Sequence, residues 1–356
     1  MNKKWTMIVS VLLCIMFIVS ACSEGNTENP EPTPSNSIKP GNELVTPSPT
    51  PVVPAYFALL TGKAMEEPVD TRPVAVLINN LAPARPQSGL TEADIIWEVL
   101  AEGGITRLVA IFQSTPNNEF DLGPVRSNRP YFIGIADSFD AIIAHAGASN
   151  DAYAILQRQD KPYLDEISNA GKYYWRSSER KAPHNLYTNL SKLREGASDK
   201  GYREQATIQG YSFMTEEEAA AASIGSVKNL EIQFQLKSYR VGYSFDETNR
   251  VYKRSINDEP HIDKNTDEAL YGHNLIFMQT EHKVLDKEGR LSVDLQSGGE
   301  ALVIQYGEMI EGKWIAASDG MIRFVKDGAD IKLVPGKSFI HVLPLGKSIL
   351  EHINIE

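Results

Sequence analysis

Asp140-Ala141-Ile142-Ile143-Ala144-His145-Ala146-Gly147-Ala148-Ser149-Asn150 is the stretch whose reading decides the fold class. Its first half is a short run rich in branched apolar residues, which predicts a buried strand over 140–144. The run stops at His145, passes through a small-residue turn at Ala146-Gly147-Ala148, and reaches Ser149 and Asn150, both good helix N-caps. A helix over 152–159 follows. Strand, glycine turn and helix start together describe an α/β unit, with a ligand position at the carboxyl edge of its sheet.

The flanks extend this pattern. Upstream, Ser127 or Asn128 can cap a helix with Pro130 in its first turn, where the missing N–H has no helical partner. Further upstream, 73–78 reads as a buried strand stopped by Asn79-Asn80. The runs 95–101 and 108–113, joined by Glu102-Gly103-Gly104, suggest an antiparallel pair. Thr91 and Asp94 offer the first of them a helix cap, so strand is the favoured of two readings. Downstream, 188–201 is helical. From about residue 207 the pattern changes to a short helix over 216–222. Short runs near 241–245, 251–254, 275–279, 291–295, 301–305, 313–316, 321–325 and 338–343 follow, punctuated by turn pairs such as Gly298-Gly299 and Asp327-Gly328. The expected fold is an α/β first domain (a mixed sheet with helices), residues 55–205, followed by a mostly β second domain, residues 206–356.

The amino terminus reads differently. Lys3 and Lys4 precede an apolar run over 7–19 that is short for a bilayer span and ends Val19-Ser20-Ala21-Cys22. Residues 1–21 are therefore expected to be an export signal and Cys22 a lipidated first residue. Lipid attachment of this kind anchors stably when more than one chain is present. Residues 22–54, with eight prolines among Ser, Thr, Asn and Gly, lack the apolar content to fold and read as a semi-rigid tether. Cys14 leaves with the signal and Cys22 carries lipid, which leaves no disulfide in the folded part. The formal charge of −11 disfavours nucleic acid as a partner and makes local basic clusters informative.

The chain resembles the YerB-like family of bacterial lipoproteins. The resemblance is carried by Val76-Leu77-Ile78-Asn79-Asn80 with Arg85-Pro86-Gln87-Ser88-Gly89-Leu90, and by 98–107. It is also carried by Gly123-Pro124-Val125-Arg126-Ser127 with Arg129, His145-Ala146-Gly147, and Ala182-Pro183-His184-Asn185-Leu186-Tyr187. Tyr243, Asp246, Tyr252, Arg254 and Asp263 look like the start of that family's second, β-rich domain. The resemblance implies a two-domain envelope lipoprotein and no particular activity.

The candidate site follows from residue chemistry. Arg126 and Arg129 stand at an expected helix start, which favours anions. Gly147 and Ser149 form a second such start, and Arg85, Arg107, Arg176, Arg180 and Asn185 come from loops that could converge on it. Guanidinium forks match carboxylate and phosphate groups. His145 and His184 are candidate acid–base groups, with Glu98, Glu102, Asp140 and Asp151 near in sequence. Against this stand the plainer roles: surface ion pairs for Arg176 and Arg180, a structural histidine at 145, and a simple cap at Ser149. The sequence has no His-Glu-x-x-His motif, paired cysteines or nucleotide fingerprint, so neither a metal nor a cofactor is expected. The expected partners are the membrane through Cys22 and an anionic envelope glycan or phosphodiester. The alternative is a non-catalytic scaffold that holds a wall-associated protein through its β-rich domain. Whether any reaction occurs is left open.

Overall fold

The computed structural model describes residues 56–115 and 119–356. The expected signal (1–21), Cys22 and the tether (22–54) lie outside the described residues. Val53–Glu356 forms one compact unit that closes its own hydrophobic cores, so a chain of these residues contains what folding requires.

The principal elements, in chain order, begin with strands β1 (Val74–Asn79), β2 (Ile95–Leu100) and β3 (Thr106–Phe112). Helix α1 (Pro130–Ser138), strand β4 (Ile142–His145), helix α2 (Asn150–Arg158), strand β5 (Tyr163–Asp165) and helix α3 (Leu190–Asp199) follow. The second region supplies β6 (Asn229–Ile232), β7 (Val241–Asp246), β8 (Val251–Ile256) and β9 (Asn274–Thr280). It continues with β10 (Gly299–Gln305), β11 (Glu308–Ala316), β12 (Ile322–Lys326), β13 (Ala329–Asp330), β14 (Ser338–Pro344) and β15 (Ile353–Ile355).

An 11-stranded sheet in the order β13-β12-β11-β10-β9-β14-β2-β3-β1-β4-β5 runs through both regions. The join is β14, which lies parallel to β9 on one side and to β2 on the other, with Ile340 opposite both Ile276 and Trp97. β1, β4 and β5 are parallel neighbours, whereas β2 and β3 pair antiparallel, as the Gly-Gly turn suggested. Helices α1 and α2 cover one face with Phe132, Ile135, Ala152 and Leu156. The other face is covered by α3 through Leu190 and Leu193, and by a smaller sheet of β8, β7, β6 and β15 through Leu230, Ile232, Val241 and Tyr252. Burial on both faces explains why the central strands read as unbroken apolar runs.

The fold class is as expected: a mixed sheet with helices, then a region mostly of strands. Local boundaries shift for identifiable reasons. Arg129, rather than Ser127 or Asn128, is the residue before α1, and Pro130 takes the first helical position. β4 starts at Ile142 because Asp140 has a positive φ and turns the chain out of α1. Ser149 caps α2 as expected, its hydroxyl accepting from the Ala152 amide.

Candidate functional site

β1 is flanked by β3 along its whole length, but β4 pairs only with its first half. The vacated edge at its carboxyl end is taken by 124–126: the Asn79 amide donates to the Pro124 carbonyl and the Arg126 amide to the Leu77 carbonyl, each at 2.8 Å. The Val125 amide then donates to Leu186, the Asn128 amide to Gly147, and Ser88 pairs with Gly123. The three polar segments expected to form the site therefore do meet, together with the loop after β1. Irregular backbone gathers at the carboxyl ends of parallel strands because each crossover helix leaves from there.

Convergence of backbone does not mean convergence of function, and most of the candidate side chains are already satisfied. Arg129 is ion-paired with Glu102 and donates to the Asn128 carbonyl. Arg107, almost fully buried, lies 3.8 Å from the same carboxylate and donates to the Ser127 carbonyl; burial pulls its pKa down to about 10. Arg176 bonds Glu166 and Asn185, and Asn185 in turn donates to the Ser177 carbonyl. The Gly147 amide, at φ 71°, donates to Asp165, and Ser149 is occupied as the helix cap. His145 has no exposed surface. Its Nδ1 sits 3.0 Å from the Gly147 carbonyl and 3.4 Å from Asp165, and burial pushes its pKa down to about 4. It is a neutral structural ring without access to solvent.

Arg126, Arg85, Arg180 and His184 remain. Arg126 and Arg85 are half-buried, form no ion pair among the described residues, and each has a buried Nε without a partner. Arg107 and Arg129 already share the single carboxylate of Glu102, and Arg126, close enough for Arg129 and Glu102 to act on its charge, forms no ion pair with it. Arg180 donates to the carbonyls of Pro83, Arg85 and Pro86, pinning the loop that carries Arg85 without neutralising its own charge. The protonation of His184 can be read from its neighbour. The Leu81 amide donates to Asn79 Oδ1, so Asn79 Nδ2 is the atom 2.7 Å from His184 Nδ1. A donor facing Nδ1 leaves the ring proton on Nε2. Burial, with Arg126 and Arg180 nearby, lowers the pKa of His184 and keeps it neutral. The group supplies donors outside any ion pair: the guanidiniums of Arg126 and Arg85, the latter 5.8 Å over the Tyr239 ring, an imidazole N–H and Arg180. Arg85 and Pro86 also border a groove of about 270 Å³ lined by Ile256, Glu259, Pro260, His261 and Ile262 of the second region.

Sequence reading missed a second polar cluster beneath this groove. Glu98, Arg254, His261 and His341 are buried in the layer between the central and smaller sheets. Arg254 donates to Glu98 (2.8 Å), to Tyr243 (2.6 Å) and to His261 Nδ1 (3.0 Å). Asn80 and Thr106 donate to the other Glu98 oxygen at 3.3 and 2.8 Å, with the Tyr239 hydroxyl 2.5 Å away. His261 Nε2 reaches Gln87 at 2.7 Å, and Gln87 donates back to Asn79 and Asn80. Although burial opposes ionisation, Arg254 and the surrounding donors hold Glu98 well below the usual carboxylate range. Asn79-Asn80 closing an apolar strand and Glu98 within another were visible in the sequence, but their pairing was not, because the partners are separated by up to 174 positions.

These features coincide with a known family. The model described as "Protein of unknown function (DUF3048) N-terminal domain" matches residues 60–203, and the corresponding C-terminal domain matches 230–340. The chain belongs to this family. "Putative lipoprotein YerB" of Bacillus subtilis (strain 168) is 34% identical over 345 residues, 96% of each chain. The crystal structure of the YerB protein from Bacillus subtilis superposes with a TM-score of 0.75 at 35% identity, covering 84% of this chain and 99% of that one. The two DUF3048 domains fall on the mixed and the β-rich regions, and both contribute strands to the 11-stranded sheet. Among the described residues no helix is long and apolar enough to cross a membrane, and no cluster of metal-ligating side chains occurs.

Proposed function

We propose that this protein is a lipid-anchored, extracytoplasmic member of the DUF3048 family. In this reading it binds an anionic polymer of the cell envelope, a phosphodiester or acidic glycan, at the rim formed by Arg126, Arg85, Arg180 and His184. Anchoring through Cys22 rests on the sequence ending Val19-Ser20-Ala21-Cys22 and on the lipoprotein name of the relative. The observation that carries the binding reading is the pair Arg126 and Arg85. Half-burying a cation without a counter-charge is unfavourable, and here it persists in a protein of net charge −11. A ligand anion would complete both guanidiniums, and the groove beside Arg85 would take the adjoining part of an extended chain. Binding without hydrolysis is favoured because His145 is sealed from solvent and His184 is a neutral donor.

The test is titration of residues 53–356 with poly(glycerol phosphate) and with purified wall glycan. Affinity should fall about ten-fold or more in Arg126→Gln, the scale expected on losing charge-assisted hydrogen bonds, and should weaken steeply with salt. Equal binding by wild type and Arg126→Gln at low salt would remove the proposal. A scaffold role is supported instead by a concavity of about 510 Å³ on the smaller sheet, lined by Glu231, Ser244, Lys253, Asp258 and Asn354. Binding to a wall protein that is lost in Ser244→Trp but kept in Arg126→Gln would favour it.

A further inference from the structure

The amino end of β1, opposite the Arg126 rim, opens onto a separate pocket of about 220 Å³. Its floor is apolar: Val74 opens β1, Ile142 opens β4, and Ala197 faces them from α3. Three arginines border it, Arg72, Arg194 and Arg203. Arg203 is ion-paired with Asp140, Nη2 donating to both carboxylate oxygens, and its Nη1 donates to the Gln205 carbonyl. Arg72 uses Nε and Nη2 on Asp140, which leaves Nη1 without a partner. Arg194 has only one hydrogen bond, from Nη1 to the Arg72 carbonyl at 3.2 Å, and no carboxylate within ion-pair distance among the described residues. Glu204 stands at the exposed mouth, where its backbone carbonyl accepts from the Arg72 amide.

Arg194, on α3 and half-buried, lines the same pocket as Val74, Ile142 and Ala197, and only its Nη1 is hydrogen-bonded. A planar fork with free Nε and Nη2 offers two parallel donors, the arrangement that fits a carboxylate edge-on. The other walls offer Val74, Ile142, Ala197 and the Tyr202 ring to whatever that carboxylate is attached to. We propose that this pocket binds a small carboxylate with a compact apolar body, its oxygens on Arg194 and Arg72 and its body against Val74, Ile142 and Ala197. The site is independent of the Arg126 rim and needs no polymer.

The probe is benzoate, titrated into residues 53–356, with benzyl alcohol as the neutral isostere and inorganic phosphate as the anion without an apolar body. Benzoate should saturate a single site and the two controls should not. Arg194→Gln should weaken benzoate about ten-fold or more, through loss of its charge-assisted hydrogen bonds. Because Arg194 also ties α3 to the Arg72 carbonyl, a second variant leaves that bond in place. Ser198 is exposed at the mouth, so Ser198→Trp should block benzoate while the thermal midpoint stays at the wild-type value. Benzoate binding that survives both substitutions, phosphate binding as tight as benzoate, or no saturable benzoate binding would each overturn the proposal.

Discussion

The Glu98–Arg254 cluster and the Arg126–Arg85 rim contain the same side-chain chemistry and sit on either side of one loop, yet they are opposites. In the first, an arginine with no exposed surface meets a carboxylate, two tyrosines and a histidine, and every partner is itself held. In the second, two half-buried guanidiniums take part in no ion pair among the described residues, and each keeps a buried Nε without a partner. A compensated charge in the interior is a structural part, since removing either partner strands the other in a medium that cannot solvate it. A cation outside any ion pair keeps donors available to a ligand.

Substitutions should separate the two groups of charges, the buried pair responding most strongly. Arg254→Met should destabilise the fold by about 3–5 kcal/mol, because it leaves the Glu98 carboxylate buried and unpaired. Urea denaturation of residues 53–356 measures this, and a loss below about 1 kcal/mol would mean the cluster is not the clamp between the two sheets.

Acid should act next, through the buried histidines. His145 and His273 have pKa values pushed down to about 4 by burial, while in the unfolded chain each returns to about 6.5. Between those values the unfolded state binds protons that the folded state does not, so stability is complete above pH 6.5 and falls as the pH drops towards 4. The slope should approach about 1.4 kcal/mol per pH unit for each histidine. Denaturation at pH 7 and pH 5 reads it directly; a flat profile would show that neither ring is held neutral by the folded state.

The smallest effects should come from the rim itself. Arg126→Gln, like Arg176→Ala at the exposed pair with Glu166, should change stability by about 0.5 kcal/mol or less. For Arg126 the sign should be neutral to stabilising, since a half-buried cation without a counter-charge is removed. A loss comparable to that of Arg254→Met would place Arg126 among the structural charges.

Much of the fold was legible because it depends on short-range patterns. The apolar run after Arg72, the Gly-Gly turn at 103–104, Pro130 at a helix start and Ser149 as a cap each specify one local conformation. The short runs after residue 240 nearly all became strands, because period and turn residues act over a few positions. The candidate site was legible only as a neighbourhood. Residues 79–88, 123–129, 145–149 and 176–187 do gather at one strand end. Nothing in the order of residues could say that Glu102 neutralises Arg129 while Arg126, three positions earlier, is left free.

Read alone, the chain's residues specify the local elements and the change from helical to strand-rich character. That β14 lies between β9 and β2 and merges both regions into one sheet emerges from long-range packing. That packing alone decided which charges would be paired. The physical reason is range: propensity, capping and turn chemistry act between near neighbours along the chain. Desolvation and charge pairing depend instead on what the folded chain places within a few ångströms, here from positions as far apart as Glu98 and Arg254.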